Sequence, residues 1–362
     1  MNLNNSQIEK IGKEIEKKIK GKTLFDEFSR GRYSTDASLY QIKPVGVVLP
    51  KDKNDVLSLM EYSQKNSIPL LARGGGSSQC GQTVGECIVL DYSRHQNKIL
   101  ELNIEEKYVW VEPGIVLDHL NAYLKPHGLW YPVDVSTSSR ATIGGMTANN
   151  SCGSRSLYYG NMVHNVLAIE TILDDGSIHT FDKINKNYLA TANDQDRLYE
   201  IINKFIDVKQ QVKNEIDENW PQTQRRVGGY NIDLIDPNGF NSSSILVGSE
   251  GTLSLFNKIK LKLSEIPSNK VLGVCYFSSF HQAMELTKEM VKLKPTTVEL
   301  MDKNLLDLAK DIPMYAGGIK KYIKGNPEAV LMVEFIDKDP NVYEKKIKDL
   351  EYMVLNQNSK ND

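Results

Sequence analysis

The 362-residue sequence predicts an α+β protein of about two domains. Three features predict it. Short apolar runs alternate with helical spacing from residue 44 onward, three glycine-rich turns punctuate the first two thirds, and the pattern changes beyond Pro267. The expected division is residues 1–40 as an N-terminal helix and ordered loop, 41–266 as one domain, and 267–362 as a second.

Ile8, Ile11, Ile15 and Ile19 recur at spacings of three and four behind Ser6 and Glu9, which predicts a capped amphipathic helix. Ser29 to Tyr40 shows no period and is read as an ordered loop. Pro44 to Pro50 reads as a strand, Asn54 as the cap of a helix buried through Val56, Leu59 and Met60, and Ile68 to Ala72 as a second strand. That strand opens into LLARGGGSSQCGQTVG, where Gly74, Gly75 and Gly76 stand between Arg73 and the hydroxyls of Ser77 and Ser78. Successive glycines let backbone N–H groups face one concavity, a cradle for anionic oxygens. Neither GxGxxG nor GxxxxGK with Ser or Thr occurs there, and the next apolar run, Cys87 to Leu90, is strand-like. The cradle is therefore expected on a loop between strands, away from the NAD pattern.

Strands follow at Ile99 to Leu102 and Tyr108 to Val111, then a helix through Leu117, Leu120 and Leu124 that Pro126-His127-Gly128 stops. Tyr131 to Asn161, poor in charge and rich in Gly, Ser, Thr and Asn, is expected as a second ligand wall. Val163 to Leu173 and Ile178 to Phe181 flank Asp174-Asp175-Gly176-Ser177 as a hairpin. Asp194 to Asn219 reads as helical and Pro221 to Asn241 as irregular. The strand-like Ile245-Leu246-Val247 enters a third turn, Gly248 to Leu253, and Asn257 to Leu263 reads as the next strand. Beyond Pro267 the order strand, helix, strand, strand, helix is expected at Val271–Phe277, Phe280–Leu293, Thr297–Leu300, Glu328–Ile336 and Asn341–Leu355. The tail from Asn356 is polar. Three glycine-rich turns, each expected to be fed by an apolar strand, suit one long ligand such as a dinucleotide.

Forty-four basic and 46 acidic residues leave a formal net charge of -2, which gives no pull toward nucleic acid or an anionic membrane. No apolar stretch is long enough to span a bilayer and the first residues lack a signal peptide's apolar core, so a cytoplasmic location is expected. Cys80, Cys87, Cys152 and Cys275 have no CxxC spacing, so no metal or iron–sulfur ligand set is assigned.

The stretch Pro44 to Leu263 resembles the FAD-binding (PCMH-type, vanillyl-alcohol oxidase-like) oxidoreductase family. The motifs that carry the resemblance are PVGVVLPKDKNDV, LLARGGGSSQCGQTVG, VWVEPG, PVDVSTSSRATIGGMTANNSCGSRS, NVLAIETILDDG and LVGSEGTLSLF. With YSTDASLYQIKP and NNSCG they look most like the flavin domain of bacterial D-2-hydroxyacid (D-lactate, D-2-hydroxyglutarate, glycolate) dehydrogenase-like proteins that also carry an iron–sulfur module. The resemblance implies a two-subdomain FAD-binding fold followed by a partial ferredoxin-like cap. It implies that Arg73, Gly74, Gly75, Gly76, Ser77 and Ser78 hold the pyrophosphate of FAD, completed by Gly81 and Gln82. Pro132, Asp134, Thr142, Gly144, Gly145, Asn150 and Gly153 would line the flavin and ribityl end, and Glu250 and Gly251 the adenine-proximal side. Covalent members carry a His where Ser77 stands, so noncovalent FAD is expected.

Such relatives pass a hydride from a small 2-hydroxy acid to flavin N5 while a base takes the hydroxyl proton, and a basic group pairs the carboxylate. His95, His119, His127, His164, His179 and His281 are isolated, so no catalytic residue is assigned; by the resemblance Arg225 and Arg226 occupy a position near the substrate side, and a solvated basic pair is the preferred reading. Two functions stay open: a D-2-hydroxyacid dehydrogenase, or an FAD-binding module without turnover of its own, completed by a second chain that supplies the rest of the cap and iron–sulfur centres. A reductase of the peptidoglycan-precursor type is a third and weaker alternative.

Overall fold

The computed structural model describes residues 3–186, 188, 196–223 and 225–358. Positions 194–195 of the expected helix and the polar tail from 359 lie outside the described residues. Sixteen strands are described: β1 Lys22–Leu24, β2 Gly46–Leu49, β3 Leu70–Arg73, β4 Ile88–Asp91, β5 Ile99–Asn103, β6 Tyr108–Val111, β7 Leu129–Trp130, β8 Val166–Ile172, β9 Ile178–Phe181, β10 Lys183–Asn185, β11 Gly239–Asn241, β12 Leu255–Lys262, β13 Ser264–Glu265, β14 Lys270–Phe277, β15 Thr297–Asp302 and β16 Ala329–Ile336. They fall in two compact units, Met1–Ser151 with Asn161–Ser264, and Cys152–Gly160 with Glu265–Asp362.

The first unit holds two main sheets. One has the order β1-β2-β4-β3, with β2, β4 and β3 mutually parallel and β1 antiparallel at the edge. Every residue of β2 and β4 is buried, as their unbroken apolar runs require of strands covered on both faces. On one face Val48, Ile88 and Leu90 meet Val56 and Leu59 of the helix Lys53–Asn66 and Ile15 of the helix Asn5–Glu16; on the other, Val47 and Val89 meet Tyr33, Leu24 and Leu71. The second sheet, β5-β6-β12-β8-β9, is antiparallel throughout. It alternates buried and outward residues: Val109 and Val111 enter the core, while Trp110 lies outside under the Lys258 ammonium.

The second unit is a three-stranded antiparallel sheet, β14-β16-β15. Cys275, Phe277, Leu331, Val333 and Phe335 pack against Ala283, Leu286 and Met290 of the helix Phe280–Met290 and Leu350 of the helix Pro340–Asn358. This is the strand-helix-strand-strand-helix order of a ferredoxin-like layer, with β14 paired on one side only among the described strands. The segment Cys152–Gly160 belongs here: Arg155 pairs with Glu334 of β16 at 3.6 Å.

Several local expectations are corrected. The first helix is capped by Asn4 and Gln7 rather than Ser6 and Glu9, and ends at Glu16, short of Ile19. Asp52, not Asn54, caps the helix Lys53–Asn66, because its carboxylate reaches the Asn54 and Asp55 amides. Part of the expected loop after Ser29 is the end of a helix, Glu27–Arg32, capped by Asp26. Leu246 closes the short helix Ser243–Leu246 instead of a strand, and the Gly144-Gly145 patch lies inside the helix Ile143–Ala148. Only the first glycine run is fed by a strand. Helices at Lys303–Asp311 and Pro313–Tyr322 were not among the expected elements.

Candidate functional site

The loop from Gly74 to Cys87 joins two parallel neighbours, β3 and β4, without an intervening helix. Its glycines are required by close approach. A Cβ on Gly74 would overlap the Thr142 side chain, and one on Gly75 would overlap the Arg140 carbonyl, whose carbon lies at 3.0 Å. Gly76 and Gly81 adopt φ of +62° and +81°, and a Cβ there would meet Arg73 Nη2 and the Tyr40 ring at 2.6 Å. The first wall thus lies directly on the segment Arg140–Thr142 of the second.

Arg73 braces this loop from behind. Its guanidinium donates to the carbonyls of Tyr33, Thr35 and Thr83 at 3.3, 2.8 and 3.0 Å, and stands 5.3 Å from the Tyr33 ring centroid. Burial lowers its pKa, against the pull of Asp91 and Asp36. Its donors being directed at carbonyls, an anion in the cradle would be met chiefly by backbone amides and the Ser77 and Ser78 hydroxyls. Tyr33 in turn donates to Asp91 at 2.6 Å, and Asp36 accepts from Thr83 Oγ1 at 2.9 Å and the Ser38 amide at 2.8 Å. Residues 33–40 are therefore the scaffold of the cradle, a role their aperiodic sequence does not announce.

In the second wall, Thr142 caps the helix Ile143–Ala148 through the Gly145 amide at 3.3 Å, and the Gly144 amide donates to the Pro113 carbonyl at 2.7 Å. A Cβ on Gly144 would meet Pro113 Cβ at 2.6 Å, so this glycine is a packing residue, whereas Gly145 is exposed. Pro132 is buried and Asp134 half-buried at the start of the same wall.

The third turn hangs from that helix. The amides of Gly248 and Glu250 donate to the carbonyls of Thr147 and Ala148 at 3.0 and 2.9 Å, tying the turn to the last residues of the helix. Gly248, Glu250 and Gly251 all have positive φ. Asn150, fully buried at φ +47°, accepts from the Val163 amide and donates to Asn231, whose own amide group donates to the Val247 carbonyl at 2.7 Å. Asn150 thus spends its side chain on holding backbone. Gln82 donates to Glu250 at 3.2 Å and accepts from Ser78, joining the first wall to the third.

The structure thus brings together Gly74, Gly75, Gly76, Ser78, Gln82, Thr142, Gly144, Gly145, Asn150, Glu250 and Gly251 in the first unit, with Ser77 and Gly81 on the same loop. Gly153 falls in the second unit, where its amide donates to Ser156 Oγ at 3.0 Å. Arg226 is not a solvated cation: it is bonded to Asp233 at 2.6 Å and stacked 5.0 Å from the Trp220 ring. Burial and the neighbouring Arg226 lower the pKa of His164, which accepts from the Asn161 amide. Among the described residues no group of three or more His, Cys, Asp or Glu could hold a metal ion, and no helix is long and apolar enough to cross a membrane.

Comparison with known proteins bears on the same residues. Residues 44–182 match the FAD binding domain, and residues 266–361 match the C-terminal domain of FAD linked oxidases. The chain carries both the FAD binding domain and the C-terminal domain of FAD linked oxidases. The D-2-hydroxyglutarate dehydrogenases of Pseudomonas putida and Escherichia coli are 33% and 30% identical over 91% and 90% of the chain, which covers 34% and 33% of their lengths. Glycolate oxidase subunit GlcD of Bacillus subtilis is 28% identical over 87% of the chain and is covered to 57%. A solved alkyldihydroxyacetonephosphate synthase superposes with a TM-score of 0.70 at 18% identity, over 96% of this chain and 59% of its own, which shows the fold. The chain therefore spans about a third of the length of its dehydrogenase relatives, and Gly74–Gly76 and Gly144–Gly145 lie within the residues that match the FAD binding domain. FAD is the cofactor that the matched FAD binding domain takes, and Gly74 and Gly75, packed against Thr142 and Arg140, hold the loop of Ser77 and Ser78 on the second wall, so that hydroxyls and loop amides are available to a pyrophosphate.

Proposed function

We propose that the chain is an FAD-dependent oxidoreductase of the D-2-hydroxyacid dehydrogenase type, with residues 41–266 as the FAD-binding domain and 267–362 as a partial substrate domain. One observation carries the reading: three glycine walls distant in sequence are joined at Gly74–Thr142, Thr147–Gly248 and Gln82–Glu250 in a chain whose relatives at 30–35% identity are D-2-hydroxyglutarate dehydrogenases. Bound FAD would supply the hydride acceptor. The protein's part would be positional. Backbone amides from Gly74 to Gly76, with the Ser77 and Ser78 hydroxyls, would hold the pyrophosphate, Gly81 and Gln82 would complete that loop, and Glu250 and Gly251 would close the far side. Pro132, Asp134, Thr142, Gly144, Gly145 and Asn150 would shape the remaining wall. Ser77 offers a hydroxyl rather than an imidazole, which favours noncovalent attachment. The four cysteines are free thiols, in keeping with a reducing compartment, and we place the protein in the cytoplasm. Anaerobic addition of D-2-hydroxyglutarate or D-lactate to the FAD-loaded chain should bleach the flavin band; an unchanged spectrum with both would overturn independent turnover.

A second reading keeps the cofactor and gives turnover to an assembly in which another chain supplies the rest of the cap and iron–sulfur centres. The observation favouring it is the outer edge of β14, unpaired among the described strands. Flavin reduction appearing only when a second polypeptide is added would support it; reduction by the isolated chain would count against it.

A further inference from the structure

The two helices Lys303–Asp311 and Pro313–Tyr322 of the second unit form a hairpin that contributes almost nothing to a core. Leu306 is the one buried residue of the first helix, and the second has none. Helical spacing places Leu305 and Leu308 on one face and Ile312 sits in the extended link to the next helix; all three are exposed, Leu308 at 66%. Met314 follows at 82% exposure, with Tyr315 and Tyr322 exposed beside it. Single exposed apolar residues need no explanation, but six between residues 305 and 322 call for one.

The charge of the hairpin says what these residues suit. Between residues 303 and 324 the sequence has five lysines and two aspartates, against a whole-chain balance that is slightly negative. Lys303 and Lys310 are paired with Asp307. Lys320, Lys321 and Lys324 are exposed at the end of the hairpin, with the Lys321 ammonium 4.9 Å from the Tyr322 ring centroid. Lysine is depleted from protein–protein interfaces, where its long flexible side chain and strong hydration are costly to bury. At a lipid headgroup layer the same side chain keeps its ammonium among phosphates while its methylenes lie along the acyl boundary. Leu, Ile, Met and Tyr supply the shallow apolar anchor, and three neighbouring lysines supply attraction to anionic headgroups.

We propose that the hairpin Lys303–Lys324 seats the protein on an anionic bilayer surface, as a peripheral contact that spans nothing. The test is co-sedimentation of the full FAD-loaded chain with vesicles of phosphatidylcholine alone and of phosphatidylcholine mixed with phosphatidylglycerol, at low and high salt. Binding is expected to the mixed vesicles, to fall with salt, and to weaken about tenfold or more in Lys320→Glu/Lys321→Glu. Leu308→Ser/Met314→Ser should weaken it similarly while leaving FAD content, the flavin spectrum and the thermal midpoint unchanged, which separates this proposal from the functional reading. Equal binding to neutral vesicles, or no binding to either, would overturn it. So would a dimer in solution that Leu308→Ser/Met314→Ser converts to monomer, because these residues would then belong to a contact with a second copy.

Discussion

Replacing Gly75 by alanine tests whether the glycine run is a cofactor cradle and not a loose turn. The added methyl would overlap the Arg140 carbonyl and stand 3.0 Å from its carbon, so the segment Arg140–Thr142 has to retreat. That segment is also the cap of the helix Ile143–Ala148, from which the third turn hangs. Forced overpacking costs about 1–3 kcal/mol. If the bound state needs the unshifted walls, FAD affinity falls about 5- to 100-fold. Gly85 is the internal control: on the same loop, its Cβ would make ordinary contact with Cys87 Sγ at 3.5 Å and its φ is not left-handed, so Gly85→Ala should bind FAD like the parent. Titration of apoprotein with FAD by flavin fluorescence, with thermal melts of each variant, reads both. Equal affinity in Gly75→Ala and Gly85→Ala would refute the reasoning.

Arg73→Ala removes the donor that three carbonyls share and should cost about 1–3 kcal/mol, seen as a lower thermal midpoint in both apo and FAD-loaded protein, whereas a residue acting only on FAD would change the loaded form alone. Burial pushes the Cys87 and Cys275 thiols up to about 11, so both should stay unreactive toward a maleimide at neutral pH until the chain unfolds, while exposed Cys80 on the glycine loop reacts and is slowed by FAD. Burial raises the Asp36 carboxyl, but hydrogen bonds from Ser38 and Thr83 outweigh it and hold the pKa below its ordinary 3.8. A group depressed in the folded state stabilises above its unfolded pKa, and that stabilisation is lost as pH falls through the folded value. Asp36→Asn should therefore flatten the acid limb of a stability–pH curve recorded by circular dichroism and leave the neutral region parallel to the parent.

The longer strands were legible because their apolar runs and alternation are local, whereas the two- and three-residue strands β1, β7, β10, β11 and β13 were not. GVVL, CIVL and YVWV, and the β-hairpin at Asp174–Ser177, all lie where pattern alone puts them. The first glycine loop was legible for the same reason, with an apolar strand before it and another after. What pattern could not supply was who touches whom. That Gly74 and Gly75 lie on Arg140–Thr142, that Arg73 faces the carbonyls of residues 33–83, and that Asn150 reaches Asn231 depend on approaches between segments remote in sequence. Caps were misread where two candidates stood within two residues: Asn4 and Asp52 were passed over for Ser6 and Asn54, though only the former reach free amides. Arg226 looked solvated because nothing in sequence shows Asp233 and Trp220 folding back onto it. The helices Lys303–Asp311 and Pro313–Tyr322 were missed although Asp302 as a cap, the spacing of Leu305 and Leu308 and Pro313 at a helix start are all local signals.

The central claim is that three glycine walls hold one noncovalent FAD. The most direct measurement is the flavin content of the purified chain after reconstitution with excess FAD and gel filtration, followed by acid or heat precipitation. One equivalent of FAD per chain, recovered entirely in the supernatant with no fluorescence left on the polypeptide, is the expected result. A chain that emerges colourless from saturating FAD, or a flavin that stays with the denatured polypeptide, would contradict it.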